Sequence, residues 1–255
     1  MISSIIESHF MKEREIYSDI RAPPPVIIRL DGRAFHQILS RIPLKRPYDD
    51  DFAVAMVEVC RALLTESGFS PVFLYTFSDE ISLYLEEIPF DGRVEKLTSV
   101  FASYAASAFS MAMSMKTPVA FDARVIPVHS SHIIPYLIWR QDEAWRNHMN
   151  AYSQALLIQK GGMSPVVAQR TLNGLGTGKL HEICFQHGVN LAQTPVWQRR
   201  GIMLYNTAFT KEGYNPMTGE KTEARRRRVF INRDLPLFSS DEGREFMEKV
   251  IGKEL

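Results

Sequence analysis

The sequence predicts an α+β fold, with a ferredoxin-like βαββαβ unit in the first half and a mainly helical second half. Four β-rich apolar runs, at 26–30, 72–77, 81–85 and 121–128, are the first observation behind this. Helix-period segments lie between the first and second runs and between the third and fourth, which is the element order of that unit. Beyond residue 130 the chain falls into helix-length segments with few strand signals.

Taken in order, Pro23, Pro24 and Pro25 give a stiff entry to the first strand, which ends where Asp31, Gly32 and Arg33 permit a sharp turn. Asp49, Asp50 and Asp51 suit a helix N-terminus. Phe52, Met56, Val59 and Leu63 then recur on one face, and Gly68 closes the helix. Runs 72–77 and 81–85 flank Ser78, Asp79 and Glu80, a hairpin with a tight polar turn. Segment 87–92 reads as a loop. Segment 93–116 reads as a long helix ended by Pro118; its part 97–115 carries five serines and is a buried helix rather than a membrane span. After the fourth strand come a helix over 143–159 stopped by Gly161 and Gly162, a short helix from Ser164 and Pro165 to Leu172, and another over 179–187. A strand at 202–206, a hairpin and an amphipathic helix from Asp241 to the end complete the chain.

A length of 255 residues admits one large domain or two small ones, and the change of pattern divides the chain at 1–135 and 136–255. Apolar residues at 45% suffice for a sizeable core. The net charge is only +1, so any nucleic-acid surface must gather its positive charge locally. The run Arg225 to Arg228 suits phosphates or inter-subunit contacts and is assigned to neither. Cys60 and Cys184 form no C-x-x-C pair, which excludes a zinc ribbon, fits a reducing compartment and leaves a disulfide open. Segment 1–17 has no signal-peptide character. The expectation is a soluble cytoplasmic protein that binds no membrane.

The topology also makes a geometric prediction. In a βαββαβ unit the first two strands run parallel, because the connecting helix crosses over between them. The end of the first strand and the hairpin turn then share one edge of the sheet. Asp31 and Asp79, 48 positions apart, should be neighbours there. A single Asp in a turn usually bonds backbone; the pairing is what suggests chemistry. Two close carboxylates repel unless a cation lies between them, and Mg²⁺ prefers such hard oxygen ligands. Two such ions can activate a hydroxyl and hold a leaving phosphate during in-line attack. Glu80 alternates to the other side, where it is a weaker ligand and caps the turn.

Several segments together resemble the tRNA-histidine guanylyltransferase family. They are Arg29-Leu30-Asp31-Gly32-Arg33-Ala34-Phe35-His36, Tyr75-Thr76-Phe77-Ser78-Asp79-Glu80, Phe121-Asp122-Ala123-Arg124, Trp139-Arg140-Gln141, and a helix with Lys179 and Glu182. The run 143–150, with Trp145 where eukaryotic members carry His, is more similar to the archaeal and bacterial Thg1-like branch.

The resemblance implies a polymerase-palm sheet at 1–135 and a C-terminal region for activation and tRNA binding. It implies a reverse, 3′–5′ polymerase that activates an RNA 5′-monophosphate with ATP or GTP. The enzyme then adds GTP, or another templated nucleotide, to tRNA-His or a 5′-truncated tRNA. Asp31 and Asp79, with the Gly32 carbonyl, would hold two Mg²⁺. Gly32 to His36 (Arg33, Ala34 and Phe35 between them), with Ser78, would cradle the nucleotide, and Lys179 would contact a triphosphate. A homotetramer is also implied.

From the residues themselves, the turn can aim backbone N–H groups at a triphosphate, and Phe35 can lie against a base. Lys45 or Arg46 can neutralise phosphate charge, the plain alternative being a solvated basic loop. Arg140, Arg146, Asn147 and His148 share a helix and offer a surface to the tRNA acceptor stem. His129 and His132 read as a surface loop, not a metal site, for want of a third ligand. Trp197, Tyr205 and Tyr214 read as core. A nucleotidyl cyclase-like palm enzyme and a non-catalytic ferredoxin-like RNA-binding module are the alternatives. The module would need aromatics on an open sheet face, where these strands read as Ile, Val and Leu.

Overall fold

The computed structural model describes residues 11–214, 217 and 221–253. The expectations for the first ten residues and for 254–255 lie outside the described residues. The first half contains β1 (Val26–Gly32), α1 (Phe35–Leu39), α2 (Asp50–Thr65), β2 (Phe73–Phe77), β3 (Glu80–Leu85), α3 (Val94–Ala112) and β4 (Phe121–Pro127). The second half adds α4 (Ile133–Gln159), α5 (Pro165–Leu172), α6 (Thr177–Gln186), α7 (Val196–Arg200), β5 (Ile202–Tyr214), β6 (Lys221–Asn232) and α8 (Asp241–Gly252).

The sheet order is β4-β1-β3-β2-β5-β6, and every neighbouring pair is antiparallel. β1 and β2 point the same way, as the crossover demands, with β3 inserted between them. Side chains alternate between two covered faces. Val26, Ile28 and Leu30 of β1 pack with Met56, Cys60, Leu63, Phe101 and Phe109 from α2 and α3. Ile27, Phe73, Tyr75 and Tyr84 lie under Tyr136 and Leu137 of α4 and Met247 and Val250 of α8. Each such aliphatic or aromatic burial contributes roughly 1.5–3 kcal/mol. The sheet therefore does carry aromatics, but beneath helices rather than open to RNA.

Asp49 caps α2: its carboxylate accepts from the Phe52 N–H at 2.9 Å and the Lys45 N–H at 2.8 Å. α4 begins ten residues before the expected start at 143. Pro135 falls in its first turn, where a missing N–H costs nothing. The boundary expected at 135/136 thus lies inside this helix, and β5 carries the sheet across it. The far half of α4 packs with α5 and α6 around Met149, Leu157, Ala168, Leu180 and Cys184. Cys60 and Cys184 are free and buried in separate clusters. No helix among the described residues is long and apolar enough to cross a membrane.

β5 pairs with β2 only over Ile202 to Tyr205. Beyond that point it pairs with β6 alone, so the two strands extend past the sheet as an arm. Arg225 to Arg228, all exposed, lie on it. Tyr214, read as core, stands exposed on the arm, whereas Tyr205 is buried.

Candidate active site

The end of β1 and the β2–β3 turn meet at one sheet edge. The Gly32 N–H donates to the Asp79 carbonyl across 3.2 Å. Ser78 takes a left-handed φ of 50° and donates its hydroxyl to Asp79 Oδ1 at 3.0 Å. A residue with a Cβ rarely adopts that conformation, and such strain gathers at functional sites. Ala34, at φ 56°, repeats it on the other segment.

Strand register extends the acidic site. Asp122 of β4, Asp31 of β1 and Glu80 of β3 stand opposite one another on one face. Two residues along, Arg124 opposes Arg29. Like charges directly opposed disfavour a sheet, so neither row stabilises the strands alone. Arg29 is 9% exposed, and its Nε has no hydrogen-bond partner among the described residues. Burial and then the Asp122 charge raise the Asp31 carboxyl above its usual range, against Arg29, Arg124 and Arg140. Burial and then the Asp31 charge raise Asp79. No Lys or Arg forms an ion pair with either among the described residues.

Beside this edge, a cleft of about 180 Å³ is lined by His36, Lys45, Arg46, Ser78 and Asp79, with Phe35 among its apolar walls. Gly32 and Arg33 commit their N–H groups internally, to Asp79 and to Ala120. Those of Ala34, Phe35 and His36, at the start of α1, receive no backbone acceptor among the described residues. The cleft thus joins four of the expected nucleotide residues to one of the two carboxylates.

Other expectations are corrected. Phe35 is 2% exposed, its ring held against Phe109 and Phe121, so it cannot lie on a base. It packs under Gly32, where a Cβ would come within 2.6 Å of the ring. Glu80 does not cap the turn. Its carboxylate accepts two bonds from buried Arg140, from Nε at 2.8 Å and Nη2 at 2.7 Å. Arg140 is therefore not on a surface for RNA. Nor is His148, which is fully buried with Nε2 3.0 Å from Thr194 Oγ1. Arg146 and Asn147 are exposed. Lys179 is exposed on α6 and does not line the cleft.

The sequence reading missed Asp122 and Arg29 as members of the site; strand register, once β4 is paired with β1, is the signal that finds them. Among the described residues no group of three or more His, Cys, Asp or Glu is set to hold a metal. Asp31 and Asp79 still form a hard-oxygen donor pair that repels itself and lacks a cation from the chain. That chemistry suits Mg²⁺, with water and phosphate oxygens as its remaining ligands.

A palm-like antiparallel sheet with paired carboxylates at one edge defines the nucleotidyltransferase class. The tRNAHis guanylyltransferase family model matches residues 8–129, and the model of its C-terminal domain matches 131–235. The chain belongs to the tRNAHis guanylyltransferase family. It is 30% identical to a probable tRNA(His) guanylyltransferase of Mus musculus, over 82% of this chain and 77% of that one. A relative from Arabidopsis thaliana is 27% identical over 84% of this chain, which spans 42% of that protein's length. Two structures of a bacterial tRNA(His) guanylyltransferase-like protein, in complex with ATP and with GTP, superpose with TM-scores of 0.74 and 0.68. Both are 26% identical, and both matches cover 96% of this chain and 98% of the other.

Proposed function

We propose that the chain is a 3′–5′ nucleotidyltransferase acting at the 5′ end of tRNA. It activates a 5′-monophosphate with ATP or GTP and then adds GTP or another templated nucleotide. The observation that carries this reading is the meeting of Asp31 and Asp79 beside a cleft lined by His36, Lys45 and Ser78. The ATP and GTP complexes of the bacterial relative support a nucleoside triphosphate as the occupant of that cleft.

Asp31, Asp79 and the Gly32 carbonyl would hold two Mg²⁺, which when bound would activate the attacking hydroxyl and neutralise the leaving phosphate. The free N–H groups of Ala34, Phe35 and His36 bind phosphate oxygens as a preorganised cradle. Lys45 sets a positive charge at the cleft mouth. Arg29 and Arg124, opposed beside the acidic row, take a further phosphate between them, which answers both their repulsion and the unpaired Nε. Residues 1–135 thus carry the chemistry and 136–255 the activation and tRNA contacts, with Arg146 and Asn147 presented to the acceptor stem and Lys179 to a triphosphate. The chain works as a cytoplasmic homotetramer. Exposed Phe209, Tyr214 and Phe230 on the arm support an assembly that covers them.

The test is to incubate the purified protein with Mg²⁺, ATP, labelled GTP and a 5′-monophosphorylated tRNA lacking its first nucleotide. Label at the 5′ end, opposite cytidine and lost in Asp31→Ala and Asp79→Ala, is the expected result. Triphosphate turnover to a cyclic product without RNA labelling would establish the cyclase instead. RNA binding that is indifferent to Mg²⁺ and triphosphate would establish the binding module.

A further inference from the structure

Arg140 touches both stems of the turn that carries Asp79. Its guanidinium forks onto Glu80, the residue after Asp79, through bonds of 2.8 and 2.7 Å. It also lies 5.5 Å from the ring centroid of Phe77, the residue before Ser78, and 4.4 Å from that of its own neighbour Trp139. Phe77 and Glu80 are the pair that closes the turn in the β2–β3 register. The Arg140 and Glu80 side chains are only 8% and 10% exposed.

The remaining ties on the turn are single contacts. Thr76 Oγ1 donates to the Glu80 carbonyl at 2.8 Å, and the Gly32 N–H donates to that of Asp79 at 3.2 Å. These bonds fix main-chain atoms. The bidentate pair is the contact that fixes a side chain of the turn, and it comes from α4, on the far side of the residue 135/136 boundary. The turn needs such a hold, because Asp79 is repelled by Asp31 and Ser78 sits in a left-handed conformation. A planar guanidinium sets direction as well as charge, which an ammonium does not.

We propose that Arg140 is a positioning residue for metal binding: acting through Glu80 and Phe77, it holds the Ser78–Asp79 turn so that Asp79 converges with Asp31 on a divalent cation. The proposal rests on the two-carboxylate reading of the site. The alternative is a buried pair that only supports the fold, and hydrophobic replacement of such a pair is often neutral for stability.

The test is Mn²⁺ binding to the full-length protein, followed by the loss of the free-ion electron paramagnetic resonance signal, with melting temperature measured alongside. Arg140→Lys keeps the charge and loses the fork. It is expected to weaken Mn²⁺ binding about tenfold, or by about 1.4 kcal/mol, with a small change in melting temperature. The double variant Arg140→Met with Glu80→Leu is expected to melt near the wild type and to stay weak for Mn²⁺. Wild-type Mn²⁺ affinity in either folded variant would overturn the proposal, as would a wild type that binds no Mn²⁺. The readout needs no nucleotide transfer. A protein that binds Mn²⁺ but labels no RNA would therefore sink the proposed function and leave the positioning role standing.

Discussion

Phe35 supports Gly32 from below, its ring so close that any Cβ on Gly32 would stand 2.6 Å from it. The end of β1 thus rests on a core aromatic rather than on a loop. Gly32→Ala must push the ring out of its contacts with Phe109 and Phe121, or lift the main chain that bonds Asp79. Overpacking of this kind costs about 1–3 kcal/mol. The expected outcome is a lowered denaturant midpoint together with at least a hundredfold loss of nucleotide transfer. A normal midpoint with normal transfer would show that the contact is dispensable.

The carboxylate pair should oppose stability when no metal is present. Asp31 and Asp79 both have folded pKa values above the ordinary 3.8. Their stabilising contribution is therefore complete below that pH and is lost as pH rises through the folded values. Asp79→Asn is expected to raise the metal-free melting temperature at about pH 7 and to change it little at about pH 4. Added Mg²⁺ should close the gap at the higher pH by stabilising the wild type alone. An equal gap at both pH values, untouched by Mg²⁺, contradicts the repulsion.

His148 carries a pH dependence of the opposite sign. Burial, and then the Arg199 charge, push its pKa down to about 4 from 6.5. Its neutral ring, stacked with Trp145 and close to Tyr152, supports the fold fully above pH 6.5. That support is lost as pH falls through about 4. His148→Phe should keep the ring contacts and flatten the decline of the urea midpoint across this window. An unchanged slope in the variant would rule His148 out as its source.

The arm separates binding from folding. Arg225 to Arg228 are exposed on strands that pair only with each other beyond Tyr205. Replacing all four with Ala should leave the melting temperature unchanged. It should flatten the salt dependence of tRNA binding, by about 0.9 in the log–log slope for each duplex phosphate released. An unaltered slope, with a shift in oligomeric mass instead, would assign the run to subunit contacts.

Much of this site is legible in the sequence because topology and turn chemistry agree. The crossover rule and a tight polar turn are enough to bring Asp31 to Asp79, since both depend on short-range patterns. Direction is harder to read than position. Phe35 follows the turn and looks available to a base, yet the two aromatic rings that receive it come from α3 and β4. Glu80 and Arg140 are 60 residues apart, and no local pattern couples them. Pro135 reads as an interruption, although in a first turn it is harmless. His148 sits among polar neighbours in a helical segment, and only the packing of Tyr48 and Tyr152 shows that it faces inward.

The pairing of β5 with β2 has a consequence for synthesis. Until residues 202–205 leave the ribosome, β2 has a hydrogen-bonded neighbour on one side only, and Phe73, Leu74 and Tyr75 line a bare edge. Exposed apolar edges of this kind invite pairing with other chains. A nascent first half that already contains both aspartates is thus an aggregation-prone intermediate, and translation of a further 70 or so residues separates its emergence from its protection.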